Sequence, residues 1–97
     1  IINWPKKLLI NYLRIVNLLA EFGPQLGMPF TKAMGKGLFE IRAKGAEGIG
    51  RAFFCMVRNH HIIILHGFIK KTNKTPKHDL VLARKRQQEV MNEATNT

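Results

Sequence analysis

Ninety-seven residues confine the chain to one small domain, 1–97, with a single two-layer core, and 45% hydrophobic residues at periodic positions exclude a disordered basic tail. Sixteen Lys and Arg against six Asp and Glu leave a net charge of +10, a self-repulsion that an anionic partner relieves, with nucleic acid ahead of an acidic protein or a membrane surface. The single cysteine, Cys55, excludes an internal disulfide and, without a Cys/His ligand cluster, argues against a structural zinc site. Apolar stretches far short of a membrane span and the lack of a leader pattern predict a soluble, unsecreted protein of a reducing cytoplasm. The first residue is Ile1 rather than Met, which leaves room for natural residues before it.

In chain order, apolar Leu8, Leu9, Tyr12, Leu13, Val16, Leu19 and Phe22 recur at the three-and-four spacing of one helix face, with Pro5 suited to the first helical position and Gly23-Pro24 as a stop. The glycine- and proline-rich stretch 23–37 reads as a loop. Alternating "LFEIRAK", a turn "GAEG", the run "IGRAFFCMV", a turn "RNHH" and "IIILHGFI" predict a three-stranded meander. After "KKTNKTPK", Thr75 as N-cap and Pro76 at the first position open a short C-terminal helix carrying Leu80, Ala83, Val90 and Met91, and the polar end "NEATNT" is expected to fray. The expected architecture is α+β: a small antiparallel sheet packed on the N-terminal helix, with the short helix following.

Four-residue hairpin loops set the strand register. "GAEG" puts Lys44 opposite Ile49 and Arg42 opposite Arg51; "RNHH" puts Val57 opposite Ile62, His66 opposite Phe53 and Phe68 opposite Arg51. One sheet face then carries Phe39, Ile41, Ala43, Gly50, Ala52, Phe54, Met56, Ile63, Leu65, Gly67 and Ile69, a core face for the first helix. The other carries Glu40, Arg42, Lys44, Arg51, Phe53, Cys55, His66, Phe68 and Lys70. Facing arginines repel unless an anion bridges them, which points to phosphate; the alternative is that they pair with Glu40 and Glu47. Phe53 and Phe68 either stack on bases or form a secondary apolar cluster, and Lys71, Lys74, Lys77, Arg84, Lys85 and Arg86 extend the positive field. Charges interleaved with aromatics on an open sheet favour single-stranded RNA over duplex DNA.

The segments "FGPQLGMPFTKAMGKGLFEIRAKG", "GIGRAFFCMV" and "ILHGFIKKTNKTPKHDLVLARKR" resemble the RelE superfamily of bacterial toxins, in its phage-derived HigB-like branch, over about Phe22 to Arg86. The resemblance implies the RelE-like fold of microbial RNases and a ribosome-dependent mRNA endoribonuclease. It also implies a cognate HigA-like helix-turn-helix antitoxin as partner, beside mRNA and ribosome, with operator DNA met only through that antitoxin. The chain departs from the family pattern where relatives often show Tyr-Arg-x-x-Tyr, having Gly50, Arg51 and Phe54 there, and no strand precedes the first helix.

Cleavage by internal attack needs the 2′-hydroxyl deprotonated, the pentavalent phosphate stabilised and the 5′-oxygen protonated. Arg42 and Arg51 suit the phosphate; Lys70 or Lys71, beside them, is the candidate base, with His66 competing. His66, Lys74 and Arg84 are candidates for the acid. The expected catalytic set is therefore Arg51, Lys70, Lys71, Arg42 and His66, with Lys74, Lys77, Arg84, Lys85, Phe53 and Phe68 as RNA or ribosome contacts, and neither metal nor cofactor. His66 also has a reading as a packed residue, and Cys55 as a small buried hydrophobe. The rival function is a non-catalytic basic RNA- or ribosome-binding module; a DNA-binding regulator is a weaker third, since no helix-turn-helix spacing occurs.

Overall fold

The computed structural model describes residues 4–46, 48–57, 61–70 and 76–96. Helix α1 (Lys6–Phe22) is followed by a 3₁₀ turn (Gly23–Leu26), strands β1 (Thr31–Gly35), β2 (Leu38–Gly45), β3 (Gly48–Val57) and β4 (His61–Lys70), and helix α2 (Lys77–Asn96). The strands form one antiparallel sheet in the order β1-β2-β3-β4, giving the expected α+β fold. No described helix is long and apolar enough to cross a membrane.

Pro5 sits at the N-cap of α1, one residue earlier than expected, its fixed φ directing the chain into the helix while its carbonyl accepts from the Leu9 N–H at 2.9 Å. Gly23, at φ 76°, ends the helix and returns its N–H to the Leu19 carbonyl. Leu8, Tyr12, Ile15 and Leu19 are the residues α1 buries, so the face is turned from the expected one: Leu13 and Phe22 are exposed and Ile15 points inward. Tyr12, Ile15 and Leu19 pack on Ile41, Ala43, Ala52 and Phe54. Trp4 lies against the bare backbone of Gly50, where a Cβ would come within 2.6 Å of the indole ring.

The stretch expected to be a loop contains β1. Its glycines serve a tight β1–β2 connection, in which Gly35, Lys36 and Gly37 all have positive φ, while "TKAM" supplies the strand. The described residues therefore form a sheet of four strands where three were expected.

The predicted register holds at Lys44–Ile49, Arg42–Arg51, Phe68–Arg51 and His66–Phe53. A bulge between Phe53 and Phe54 then shifts the pairing, so that Phe54 faces Ile64 and Val57 faces His61 rather than Ile62. That shift exchanges the faces of the first half of β4. Ile62 packs with the α1 core, whereas Ile63 and Leu65, expected there, join the opposite cluster.

The opposite sheet face is not open. Helix α2, 20 residues long and continuing through the segment expected to fray, lies on it. Leu80, Ala83, Val90 and Met91 form its apolar stripe and meet Leu38, Phe53, Cys55, Leu65 and Phe68. Each fully buried large side chain here is worth about 1.5–3 kcal/mol, which outweighs exposing Phe53 for a ligand. The molecule is thus three-layered, α1 on one face and α2 on the other. Residues 58–60 of the "RNHH" turn, Glu47 of "GAEG", and the expected N-cap Thr75 lie outside the described residues.

Candidate functional site

Several predicted ligand contacts turn out to hold α2 in place. Arg84 donates to the carbonyls of Gly35 and Met34, both at 2.9 Å, and Gln87 donates to the Lys36 carbonyl at 2.9 Å. Together they clasp the β1–β2 connection. Arg86 donates to the Leu65 carbonyl at 2.8 Å, satisfying a backbone acceptor beside the bulge. His66 Nε2 lies 2.7 Å from Asp79 Oδ1 in the first turn of α2, and its ring stacks on Phe68 at 5.5 Å between centroids. Phe68 in turn meets Phe53 at 5.7 Å, making the secondary apolar cluster rather than a stacking platform; Phe53 is fully buried and Phe68 half-buried. His66 and the two phenylalanines are therefore engaged with α2, and Arg84 of α2 with the β1–β2 connection.

The facing arginines find their anion inside the chain. Glu40, fully buried, holds Arg42 Nε at 3.1 Å through Oε1 and Arg51 Nη1 at 3.6 Å through Oε2. Arg51 is also fully buried, and burial pushes its guanidinium below the ordinary arginine range, opposed by Glu40 and reinforced by Arg42. A buried carboxylate survives only with such partners. Two cations thus face one carboxylate. Arg42 is the member of the set that reaches the surface, with 14% of its side chain exposed.

Beyond the start of α2 the sheet face opens. There Lys32, Arg42 and Lys44 line a groove of about 350 Å³ whose apolar wall is Met28, Pro29 and Ile49. Strand alternation and register build it: Lys32 lies opposite Glu40, and Ile49 sits between Lys44 on one neighbour and Lys70 on the other. Lys70 is exposed, at the end of β4, and Phe68 separates it from His66 along the same strand face. Lys77 and Lys85 are exposed on α2; Lys71 and Lys74 lie outside the described residues. The structure thus brings Arg42 to a groove beside Lys70, sets Arg51 beneath it, and leaves His66 at the α2 contact. Met28, Lys32 and Ile49 escaped sequence reasoning because Met28 and Lys32 fall in the stretch taken for loop and Ile49 is apolar. The signal for the covering of Phe53 was present: the stripe Leu80, Ala83, Val90 and Met91 needed an apolar surface, and Phe53, Cys55 and Phe68 supplied one.

A groove of this kind, cationic with an apolar wall, can take a phosphate with a sugar or base against Ile49 and Pro29. The family profile described as Phage derived protein Gp49-like (DUF891) matches residues 1–88, which include every strand, α1 and the first half of α2. The chain belongs to the Gp49-like family. No curated protein matches it with significance. Family membership agrees with the phage-derived part of the resemblance and places the groove in the segment common to the family.

Proposed function

We propose that this Gp49-like protein is the toxin of a type II toxin–antitoxin pair, a ribosome-dependent mRNA endoribonuclease of the RelE superfamily, HigB-like branch. The observation that carries the reading is the cationic groove of Lys32, Arg42 and Lys44 beside Lys70, on a chain of net charge +10. In this reading Arg42 and Lys44 hold the scissile phosphate and stabilise its pentavalent form. Lys70 takes the 2′-hydroxyl proton as the general base; Lys71 is the alternative. The 2′-oxygen attacks phosphorus, the bond to the 5′-oxygen breaks, and that oxygen takes a proton from solvent water, leaving a 2′,3′-cyclic phosphate and a 5′-hydroxyl. Arg51, enclosed beneath the groove, acts on Arg42 through Glu40 and is a positioning residue rather than a phosphate contact. Lys77 and Lys85 contribute field along α2 toward ribosomal RNA. The partners are mRNA, the ribosome and a HigA-like helix-turn-helix antitoxin, which carries any operator contact, and the place of action is the cytoplasm.

Primer extension on a reporter mRNA, with and without translating ribosomes, tests the reading. Cuts inside codons only with ribosomes support it, as do new ends bearing cyclic phosphate. Intact message in both lanes refutes it. A second reading, the non-catalytic RNA- or ribosome-binding module, draws on a specific observation: Glu40 is enclosed by arginines and His66 is bonded to Asp79, so the described groove offers lysines and an arginine but neither a carboxylate nor a histidine. Binding with unbroken RNA favours that module.

A further inference from the structure

The β1–β2 connection is a two-residue hairpin loop, Lys36-Gly37, closed by the pair Gly35–Leu38. Both loop residues have positive φ, 54° and 77°, the pattern of a type I′ turn. The first position of such a turn ordinarily takes Asn, Asp or Gly: the first two bond to their own backbone, and Gly has no Cβ to clash. Lys36 has neither advantage, and among the described residues it is the one non-glycine with positive φ. The turn thus carries a strain that its geometry does not require.

The surroundings hold that conformation in place. Arg84 and Gln87 of α2 donate to the carbonyls of Met34, Gly35 and Lys36, so three successive backbone acceptors are fastened to a helix. The tip is therefore a braced platform. Its outer side is open: Lys36 is exposed, and a Cβ on Gly35 would meet nothing within 4 Å. A strained residue that its neighbours brace in this way points to a role for its side chain.

Charge at the tip has one sign. Arg84 bonds carbonyls there rather than a carboxylate, so its charge adds to that of Lys36. The chain has no acidic residue between Glu21 and Glu40, and Glu40 is buried. On α2, Asp79 is bonded to His66, while Glu89 and Glu93 line a groove with Arg86, Val90 and Ile63 to Leu65, against the strand at the opposite edge of the sheet. Four positions separate Lys36 from Lys32 of the cationic groove, at most roughly 13 Å along the strand. We infer that Lys36 is a second phosphate contact for single-stranded RNA, seated on the braced tip and distinct from the phosphate held in the groove. The inference rests on the proposed RNA reading and adds to it a course for the strand, along β1 from groove to tip. Phosphate contacts at both ends of β1 fix that course without reading bases.

Anisotropy of the full chain with a labelled oligouridylate over a salt series, beside urea unfolding, tests the inference. Lys36→Asn suits the turn and removes the charge. It is expected to raise the urea midpoint while lowering the slope of log affinity against log salt by about 0.7, the share of one phosphate on a single strand. Lys36→Arg, which keeps the charge, is expected to keep the wild-type slope. A Lys36→Asn slope equal to that of the wild type overturns the inference. So does a lower urea midpoint, which makes the lysine part of the turn's own stability. Lys44→Ala separates this contact from the reading beneath it. If Lys44→Ala lowers the slope and Lys36→Asn does not, the groove stands without the tip; if neither does, the RNA reading falls together with the inference.

Discussion

Replacing Glu40 by Gln puts the buried ion cluster to a quantitative test. The substitution keeps the side-chain shape and removes the carboxylate charge that faces Arg51 at 3.6 Å and Arg42 at 3.1 Å. Arg42 can turn toward water, being 14% exposed, but Arg51 is enclosed and cannot. Removing one partner of a fully buried pair typically costs about 3–5 kcal/mol, because the remaining ion stays desolvated. Against a total stability of about 5–15 kcal/mol, that is a large share. For a chain of this size the melting temperature falls by about 4–8 °C per kcal/mol, so a drop of more than about 12 °C is expected. Urea unfolding followed by the lone tryptophan gives the free energy directly. The double substitution Glu40→Leu with Arg51→Met removes both charges and should recover most of the loss, since apolar replacements of buried pairs are often neutral or stabilising. A Glu40→Gln cost below about 1 kcal/mol, the range of exposed pairs, would refute the enclosed cluster and with it the role of Glu40 in aiming Arg42.

Further outcomes follow from single contacts. Gly50→Ala places a methyl within 2.6 Å of the Trp4 ring, so the indole must move; a shifted tryptophan emission and a loss of about 1–3 kcal/mol in urea unfolding are expected, and an unchanged spectrum would contradict the packing. Burial raises the Tyr12 phenol above its ordinary value, so the folded state binds its proton more tightly than the unfolded state. Stability from this group is therefore complete below about pH 10 and is lost as pH climbs from there through the folded value; the phenolate absorbance of the only tyrosine should titrate later in the folded chain than in urea. Lys44→Ala should weaken single-stranded RNA binding and reduce the slope of log affinity against log salt by about 0.7, the share of one phosphate, whereas an unaltered slope would remove Lys44 from the groove's ligand contacts.

What the residue pattern disclosed and what it withheld have physical causes. The hairpin count placed Arg42 opposite Arg51 correctly, because charged and apolar residues alternate from Phe39 to Lys44 on β2 and around Arg51 on β3, and a one-residue slip would bury a lysine. The same logic had no grip on residues 62–65, where every side chain is apolar and either parity yields a hydrophobic face, so the bulge after Phe53 left no trace in the pattern. β1 was hidden by composition: the glycines needed for positive φ at Gly35 and Gly37 mark a turn and mask the short strand that enters it. The larger consequence concerns the site. Cations, aromatics and a carboxylate on one strand face were equally consistent with an open RNA platform and with a second core. What decides between them is α2, whose stripe from Leu80 to Met91 needs a surface of its own. Once it is laid down, Phe53, His66 and Arg84 become its anchors, Arg51 becomes the enclosed partner of Glu40, and the described cations that this sheet face still presents lie at the strand ends α2 leaves uncovered: Lys32, Arg42, Lys44 and Lys70.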